Sequence, residues 1–451
     1  MVLPKALLES LDGAAGFEAD RFVSVHDDPQ PVTAIRLNPF KPFQPRFEAA
    51  MESIPWCAAG WYLSERPSFT LDPLFHAGAY YVQDASSMFL WEALRQLVPD
   101  TQSARVLDLC AAPGGKSTLL ASFFQNGLIV ANEVIKSRAA ILVENLTKWG
   151  LANTIVSNND PSHFQSVGAF FDVMVIDAPC SGSGLFRKDP QAIAEWSPEN
   201  VQLCSQRQQR ILADALPALK EDGTLIYATC SFSPEEDEWI CDWLVEMGME
   251  PISLLIAPEW GIIQTSSPRY QAAGYRFYPY LLQGEGFFLA AFRKKKHSGL
   301  VGQHHHKHTL TPLTKNEKTI VDTWMGPLSG MQLFKQGETM RYIPTDCFAD
   351  MQYLASHLYI KKAGVGIGVL KGSDLIPDHE LAMGLYQPES CARVAIDLDQ
   401  ALRYLRRQDL QLDTARGWTL VCFDQVPLGW AKVLPNRVNN YYPQEWRILK
   451  T

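Results

Sequence analysis

Between residues 105 and 294 the chain alternates short apolar runs with helix-like stretches, and this alternation constrains the fold more than any other feature. RVLDLCA (105–111), LIVANEV (128–134), TIVSNND (154–160), DVMVIDAPC (172–180), GTLIYATCS (223–231) and GFFLAAFRK (286–294) read as strands. STLLASFFQ, SRAAILVENLTKWG and NVQLCSQRQQRILADALPALKEDG read as helices between them. Strands separated by helices of this length predict an α/β, Rossmann-like, mostly parallel and doubly wound sheet with right-handed crossovers. Ligands of such sheets sit at the carboxyl ends of the strands, so the residues that end each apolar run are the candidates for function.

The first run ends in Cys110, Ala111, Ala112, Pro113, Gly114, Gly115 and Lys116. Small residues and paired glycines let a ligand approach the backbone, and the next helix offers its N-terminus. Gly115-Lys116-Ser117 matches the end of a nucleotide-triphosphate P-loop, but that motif's first glycine falls on Cys110. There is no GxGxxG in the dinucleotide position, and a tight turn without a ligand is the plainer alternative. The second run ends in Glu133, 17 residues after Lys116, placed to accept hydrogen bonds from ribose hydroxyls. The third ends in Asp160, placed to meet an adenine amino group. Either acid alone reads as a solvated strand end. Together, beside a glycine-rich loop, they outline a pocket for an adenosine without a polyphosphate, which suits S-adenosylmethionine better than NAD or ATP.

The fourth and fifth runs end in Asp177-Ala178-Pro179-Cys180-Ser181-Gly182 and Thr229-Cys230-Ser231. A single cysteine in a reducing compartment is ordinarily a small buried apolar residue. Two at neighbouring strand tips, one beside an aspartate, suit methylation at carbon 5 of a pyrimidine, a carbon that is not nucleophilic by itself. A thiolate adding to carbon 6 makes carbon 5 nucleophilic, and a nearby acid stabilises the charge that develops on the ring. The target base must leave its stack to reach such a pocket.

These residues resemble the signatures of the RNA 5-methylcytosine methyltransferase family of Sun or NSUN type. The likeness spans the Cys110–Lys116 loop, Glu133, Asp160, the Asp177–Gly182 loop and Thr229-Cys230-Ser231. It implies that Cys230 is the nucleophile, that Cys180 assists breakdown of the covalent adduct and that Asp177 contacts both cofactor and base. It also implies that residues 110–116 with Glu133 and Asp160 hold S-adenosylmethionine. Tyr80-Tyr81-Val82-Gln83-Asp84-Ala85-Ser86-Ser87 resembles a further family motif in which Glu is expected where this chain has Asp84. Arg36 and Asn38 resemble an N-terminal motif, and Arg276, Tyr278-Pro279 and Gly284-Glu285-Gly286-Phe287-Phe288 the closing hairpin and last strand. Gly364–Gly368, Leu370-Lys371-Gly372, Asp378–Met383 and the stretch from Gly429 to Arg447 resemble the tail of RsmF-type bacterial enzymes. That resemblance implies a PUA-like RNA-binding extension and ribosomal RNA or the small ribosomal subunit as partner. Transfer RNA is the nearest alternative substrate, and a non-catalytic RNA-binding assembly factor is the alternative from another class.

The expected division is 1–78 (N-terminal, α+β), 79–295 (catalytic), 296–375 (linker and small intermediate domain) and 376–451 (PUA-like). The formal charge of -9 argues against an RNA partner until it is divided: residues 1–78 carry -4, 79–292 carry -11 and 293–451 carry +6. In the tail, Lys432, Arg437, Arg447 and Lys450 are interleaved with Trp430, Tyr441, Tyr442 and Trp446, and Arg403, Arg406 and Arg407 add a basic cluster. Basic side chains reach phosphates and exposed aromatics stack on bases; alternatively the aromatics fill the core of a small β domain. HSGLVGQHHHKH reads as an exposed linker rather than a metal site, since His304, His305, His306 and His308 have no second cluster to close around an ion. Nine cysteines without a CxxC pair fit a reducing cytoplasm. Glu9 and Asp12 interrupt any leader-like apolar run, and no stretch suits a membrane span. A monomer is expected.

Overall fold

In a computed structural model of the chain, the described residues are 2–27, 32–43, 45, 51–98, 103–295, 310–372, 374–388 and 391–450. His304, His305, His306 and His308 lie outside them. Five parallel strands lie side by side in the order Thr154–Ser157, Leu128–Asn132, Arg105–Asp108, Phe171–Asp177 and Leu219–Thr229. Phe287–Lys294 joins antiparallel beyond the last. Strand order reverses between Arg105–Asp108 and Phe171–Asp177, which opens a crevice at their carboxyl ends.

Alternate side chains of these strands feed two cores. Leu107, Val130, Met174, Ile176 and Leu225 pack with Ile211, Leu212 and Leu244 on one face. Val106, Ile129, Val173, Val175 and Ile226 pack with Leu90, Leu94, Leu119 and Leu120 on the other. A sheet buried on both faces reads as nearly continuous apolar sequence, which is why these runs stand out. Each such side chain stabilises the fold by roughly 1.5–3 kcal/mol relative to exposure.

The strands are shorter than the apolar runs. They stop at Asp108, Asn132, Ser157, Asp177 and Thr229, and the residues that follow form loops. Pro179 denies the fourth strand the backbone donor needed to continue past Ala178. The expected helix through NVQLCSQRQQRILADALPALKEDG is also shorter, ending at Ala215 with Pro217 just beyond. Leu219 already pairs with Phe171, so the last strand begins within the stretch read as helix. That helix starts where Ser197 Oγ accepts the Asn200 amide hydrogen at 3.1 Å, with Pro198 in the first turn. Val201, Cys204, Gln208, Ile211, Leu212 and Ala215 face inward at helical spacing.

Among the described residues, three four-stranded sheets accompany the central one. The N-terminal one is antiparallel, in the order Met51–Ser53, Gly60–Leu63, Thr33–Leu37, Tyr80–Val82. The second contains Met331–Gln336, Thr339–Pro344, Val365–Lys371 and Asp374–Pro377. The third contains Ala392–Ala395, Gly417–Phe423, Val426–Leu434 and Arg437–Asn440. A short strand from much later in the chain, Ile360–Ala363, pairs antiparallel with Thr154–Ser157 and extends the central sheet. The first and last regions share a core in which Ile35, Leu63 and Tyr80 meet Tyr404, Val421 and Phe423. No helix among the described residues is long and apolar enough to cross a membrane.

Candidate active site

Gly114 turns the first loop at φ 118°, a left-handed conformation that glycine adopts without strain, and the helix Gly115–Phe123 begins immediately after it. Arg36, fully buried on its N-terminal strand, braces that first turn. Its Nη2 donates to Thr118 Oγ1 at 2.6 Å and to the Gly115 carbonyl at 3.2 Å, and its Nε donates to Gln83 Oε1 at 3.0 Å. Under the loop, Ser117 Oγ donates to Asp108 Oδ2 at 2.6 Å, and burial pushes the Asp108 carboxyl up to about 7. Lys116 turns to the fourth strand, where its Nζ donates to Asp177 Oδ2 at 2.7 Å. Burial opposes the Lys116 charge, but the Asp177 carboxylate outweighs it, so the ammonium is held above its usual range.

Two cavities open along the strand ends. One, of about 450 Å³, is lined by Glu133, Val134, Ile135, Asp160, Asp177 and Cys180, among others. The second, of about 340 Å³, is lined by Tyr81, Asp84, Lys116, Asp177, Glu285 and Phe287, among others. Cys110, Ala112, Asp177, Leu185 and Cys230 border both. The larger one suits S-adenosylmethionine in size and chemistry: Glu133 and Asp160 offer acceptors for hydroxyl and amino groups, and Val134 and Ile135 present apolar surface. Glu133 is 3% exposed; its Oε1 accepts the Ile135 amide hydrogen at 2.9 Å, and its Oε2 faces Arg138 at 3.6 Å. Asp160 caps the turn Pro161–Val167, accepting from the Ser162 amide at 3.0 Å and hydroxyl at 2.7 Å. The Ser162 hydrogen bonds hold its carboxyl below the usual range.

Cys180 and Cys230 are free thiols with their sulfurs 2.9 Å apart. The hydrogen bond with Cys230, reinforced by burial, raises the Cys180 thiol well above its usual range, so Cys180 keeps its proton. Their loops cross at close quarters: the Gly184 amide donates to the Cys230 carbonyl at 2.8 Å, and the Gly286 amide to the Gly184 carbonyl at 3.1 Å. A Cβ on Gly184 would collide with the Gly286 carbonyl oxygen and come within 2.7 Å of that of Cys230.

Cys110–Pro113, Gly115, Lys116, Glu133, Asp160, Asp177, Cys180 and Cys230 therefore border these cavities, whereas Gly114 forms the turn itself and Ser181, Thr229 and Ser231 line neither. Sequence reasoning missed Asp108, Gln208 and Glu236, which are buried behind the lining. In the tail, Trp430 and Tyr442 are core residues, while Tyr441 is 37% exposed. Arg406 and Arg407 donate to the carbonyls of Lys450 and Tyr442, so part of the basic cluster is engaged within the chain.

Comparison with known proteins matches three segments of the chain. Residues 95–293 match the 16S rRNA methyltransferase RsmB/F family, residues 3–85 the N-terminal domain of 16S rRNA methyltransferase RsmF and residues 391–448 the methyltransferase RsmF PUA domain. The chain is 30% identical to the ribosomal RNA small subunit methyltransferase F of Salmonella newport, covering 94% of this chain and 92% of that protein. Among solved structures, a methyltransferase homologue from Pyrococcus horikoshii superposes with TM-score 0.51 at 28% identity, over 65% of this chain and all of that one. NSun6 from the same organism, solved with SFG, superposes with TM-score 0.55 at 20% identity, over 65% of this chain and 99% of that one, and shares the fold. The near-complete match to the Salmonella enzyme, together with the three family matches along this chain, shows that this chain belongs to the ribosomal RNA small subunit methyltransferase F family of S-adenosylmethionine-dependent enzymes.

Proposed function

We propose that the protein methylates carbon 5 of a cytosine in small-subunit ribosomal RNA through a covalent intermediate on Cys230. The observation that carries this reading is the meeting of two cavities at Cys230 and Asp177, one suited to the cofactor and one to an extruded base. S-adenosylmethionine, held by residues 110–116, Glu133 and Asp160, supplies an electrophilic methyl group.

The residues divide the remaining work. Cys180, which keeps its proton, lies 2.9 Å from Cys230 Sγ, leaving Cys230 as the attacking sulfur. The Cys230 sulfur bonds to carbon 6 of the cytosine, and the displaced electron pair makes carbon 5 nucleophilic. Asp177 binds the ring nitrogen edge and balances the charge that develops there, and Lys116 fixes the Asp177 carboxylate. Once carbon 5 carries the methyl group, its proton must leave so that the bond from Cys230 to carbon 6 can break. Cys180 takes that proton after giving its own to solvent. Once the Cys230 sulfur is bonded to carbon, the contact that is the foremost cause of the raised Cys180 pKa is gone. The Cys180 thiol can then ionise and accept the carbon-5 proton while Cys230 departs as thiolate.

The substrate follows from the family and from the RNA-binding character of a PUA domain. Bisulfite sequencing of small-subunit ribosomal RNA incubated with the protein and S-adenosylmethionine tests it. A newly protected cytosine is expected; conversion of every cytosine, in naked RNA and in assembled subunits, would contradict the reading.

A further inference from the structure

Each of the two site cysteines is followed by a serine, and both serines donate to the same carboxylate oxygen. Ser181 Oγ lies 2.5 Å and Ser231 Oγ 2.6 Å from Glu236 Oε2. The other oxygen, Oε1, accepts the Ser181 amide hydrogen at 2.8 Å and Gln208 Nε2 at 3.1 Å. Glu236 is fully buried, and these four donors are all neutral. A carboxylate removed from water with no counter-charge at these positions is tolerable only while its hydrogen bonds are complete, so it strongly favours the one arrangement that completes them. That arrangement brings the loop after the fourth strand and the loop after the fifth to a fixed separation. Gln208 strengthens the tie by also donating to the Pro179 carbonyl at 3.2 Å. The Tyr227 hydroxyl anchors the Glu236 backbone through its carbonyl at 2.7 Å.

We propose that Glu236 is the positioning residue that sets the distance between Cys180 and Cys230. The proposal rests on the reading of these two cysteines as adduct-forming and adduct-releasing groups. Glu236 borders neither cavity, so its influence passes through the loops. Misplacing a reacting group by about 1 Å costs about 100-fold in rate, whereas substrate binding feels it far less.

Two variants separate geometry from charge. In Glu236→Gln the amide oxygen can still accept from the Ser181 amide and Gln208, while both serine hydroxyls rotate to accept from the amide nitrogen. In Glu236→Ala all four donors lose their acceptor. Two readouts are taken on the full chain: kcat and KM for methylation, and the rate at which diamide links Cys180 to Cys230, followed by peptide mass. In the second, the two thiols lose their hydrogens to the diazene as the disulfide forms, so the rate reports thiol proximity without RNA. For Glu236→Ala the expected result is a fall of about 100-fold in kcat, KM within a few-fold and about ten-fold slower disulfide formation. Glu236→Gln should lie within a few-fold of the parent in both.

An alanine variant with parental kcat and parental disulfide rate would overturn the proposal, as would a glutamine variant impaired as severely as the alanine one. If Glu236→Ala fails to bind S-adenosylmethionine by calorimetry, Ser231→Ala replaces it. That change removes one arm of the tie and should slow disulfide formation, and an unchanged rate would again overturn the proposal. A parent protein that methylates no RNA contradicts the proposed function instead, while the disulfide rates still test the role of Glu236.

Discussion

At the scale of single residues, the two thiols are chemically unlike although they touch. Cys180 is pushed up by its partner and by burial, so it stays protonated before the adduct forms, and it becomes a proton acceptor only once Cys230 is bonded to carbon and that contact is lost. Cys180→Ala should therefore form the adduct and fail to resolve it. Denaturing gels should show RNA-linked protein accumulating on unmodified RNA while turnover falls; rapid turnover without accumulation would be inconsistent with this division. Lys116→Gln removes the cation that fixes Asp177 and should lower kcat by about 10²–10³-fold, measured as methyl transfer at saturating cofactor. Both cysteines and Asp177 were legible because they end apolar runs. Glu236 was not: it lies beyond the fifth parallel strand, Leu219–Thr229, and follows Glu235, and only the folded loop brings it under both serines.

At the scale of elements, the site is a crossing of loops held by backbone contacts that leave no room for side chains. Gly184→Ala places a methyl group against the carbonyls of Gly286 and Cys230, and the backbone must shift. The expected cost is about 1–3 kcal/mol of stability. Activity should fall out of proportion, with cofactor affinity kept; thermal unfolding, calorimetry and kcat together check this. Strands and helices of the central sheet were legible from burial on both faces. Their ends were not, because proline and the competition for backbone hydrogen bonds decide where pairing stops. Ile360–Ala363 was invisible as part of that sheet, since an edge strand contributed from about 200 residues away carries no local mark of its partner. Arg36 was legible only as a motif; in the folded chain it joins the N-terminal sheet to the first turn after the cofactor loop.

At the scale of the molecule, the N-terminal and C-terminal regions pack into one core, and where they meet the catalytic body Lys41, His76 and Lys148 are buried. His379 has both ring nitrogens buried without partners, between Tyr442 and Trp446. Burial, with the Lys148 and Lys41 charges, lowers it to about 3. Burial also lowers His76 to about 4. A histidine whose folded pKa is depressed contributes stability above its unfolded value near 6.5, and that contribution is lost as pH falls through the folded value. Melting temperature should therefore drop between pH 6.5 and pH 4, and His379→Phe should flatten the drop; an unchanged slope would count against this junction as its source. The charge of -9 conceals a tail near +6, in which Arg437 and Arg447 are exposed. Replacing each with Gln should reduce the salt dependence of RNA binding by about one unit of log–log slope, leaving cofactor affinity intact. The most direct measurement of the whole account is trapping on 5-fluorocytosine-substituted ribosomal RNA, where fluorine blocks loss of the carbon-5 substituent. The parent protein and Cys180→Ala should yield an RNA–protein adduct, with peptide mass placing it on Cys230, and Cys230→Ala should yield none. An adduct that persists in Cys230→Ala, or that maps to Cys180, would contradict it.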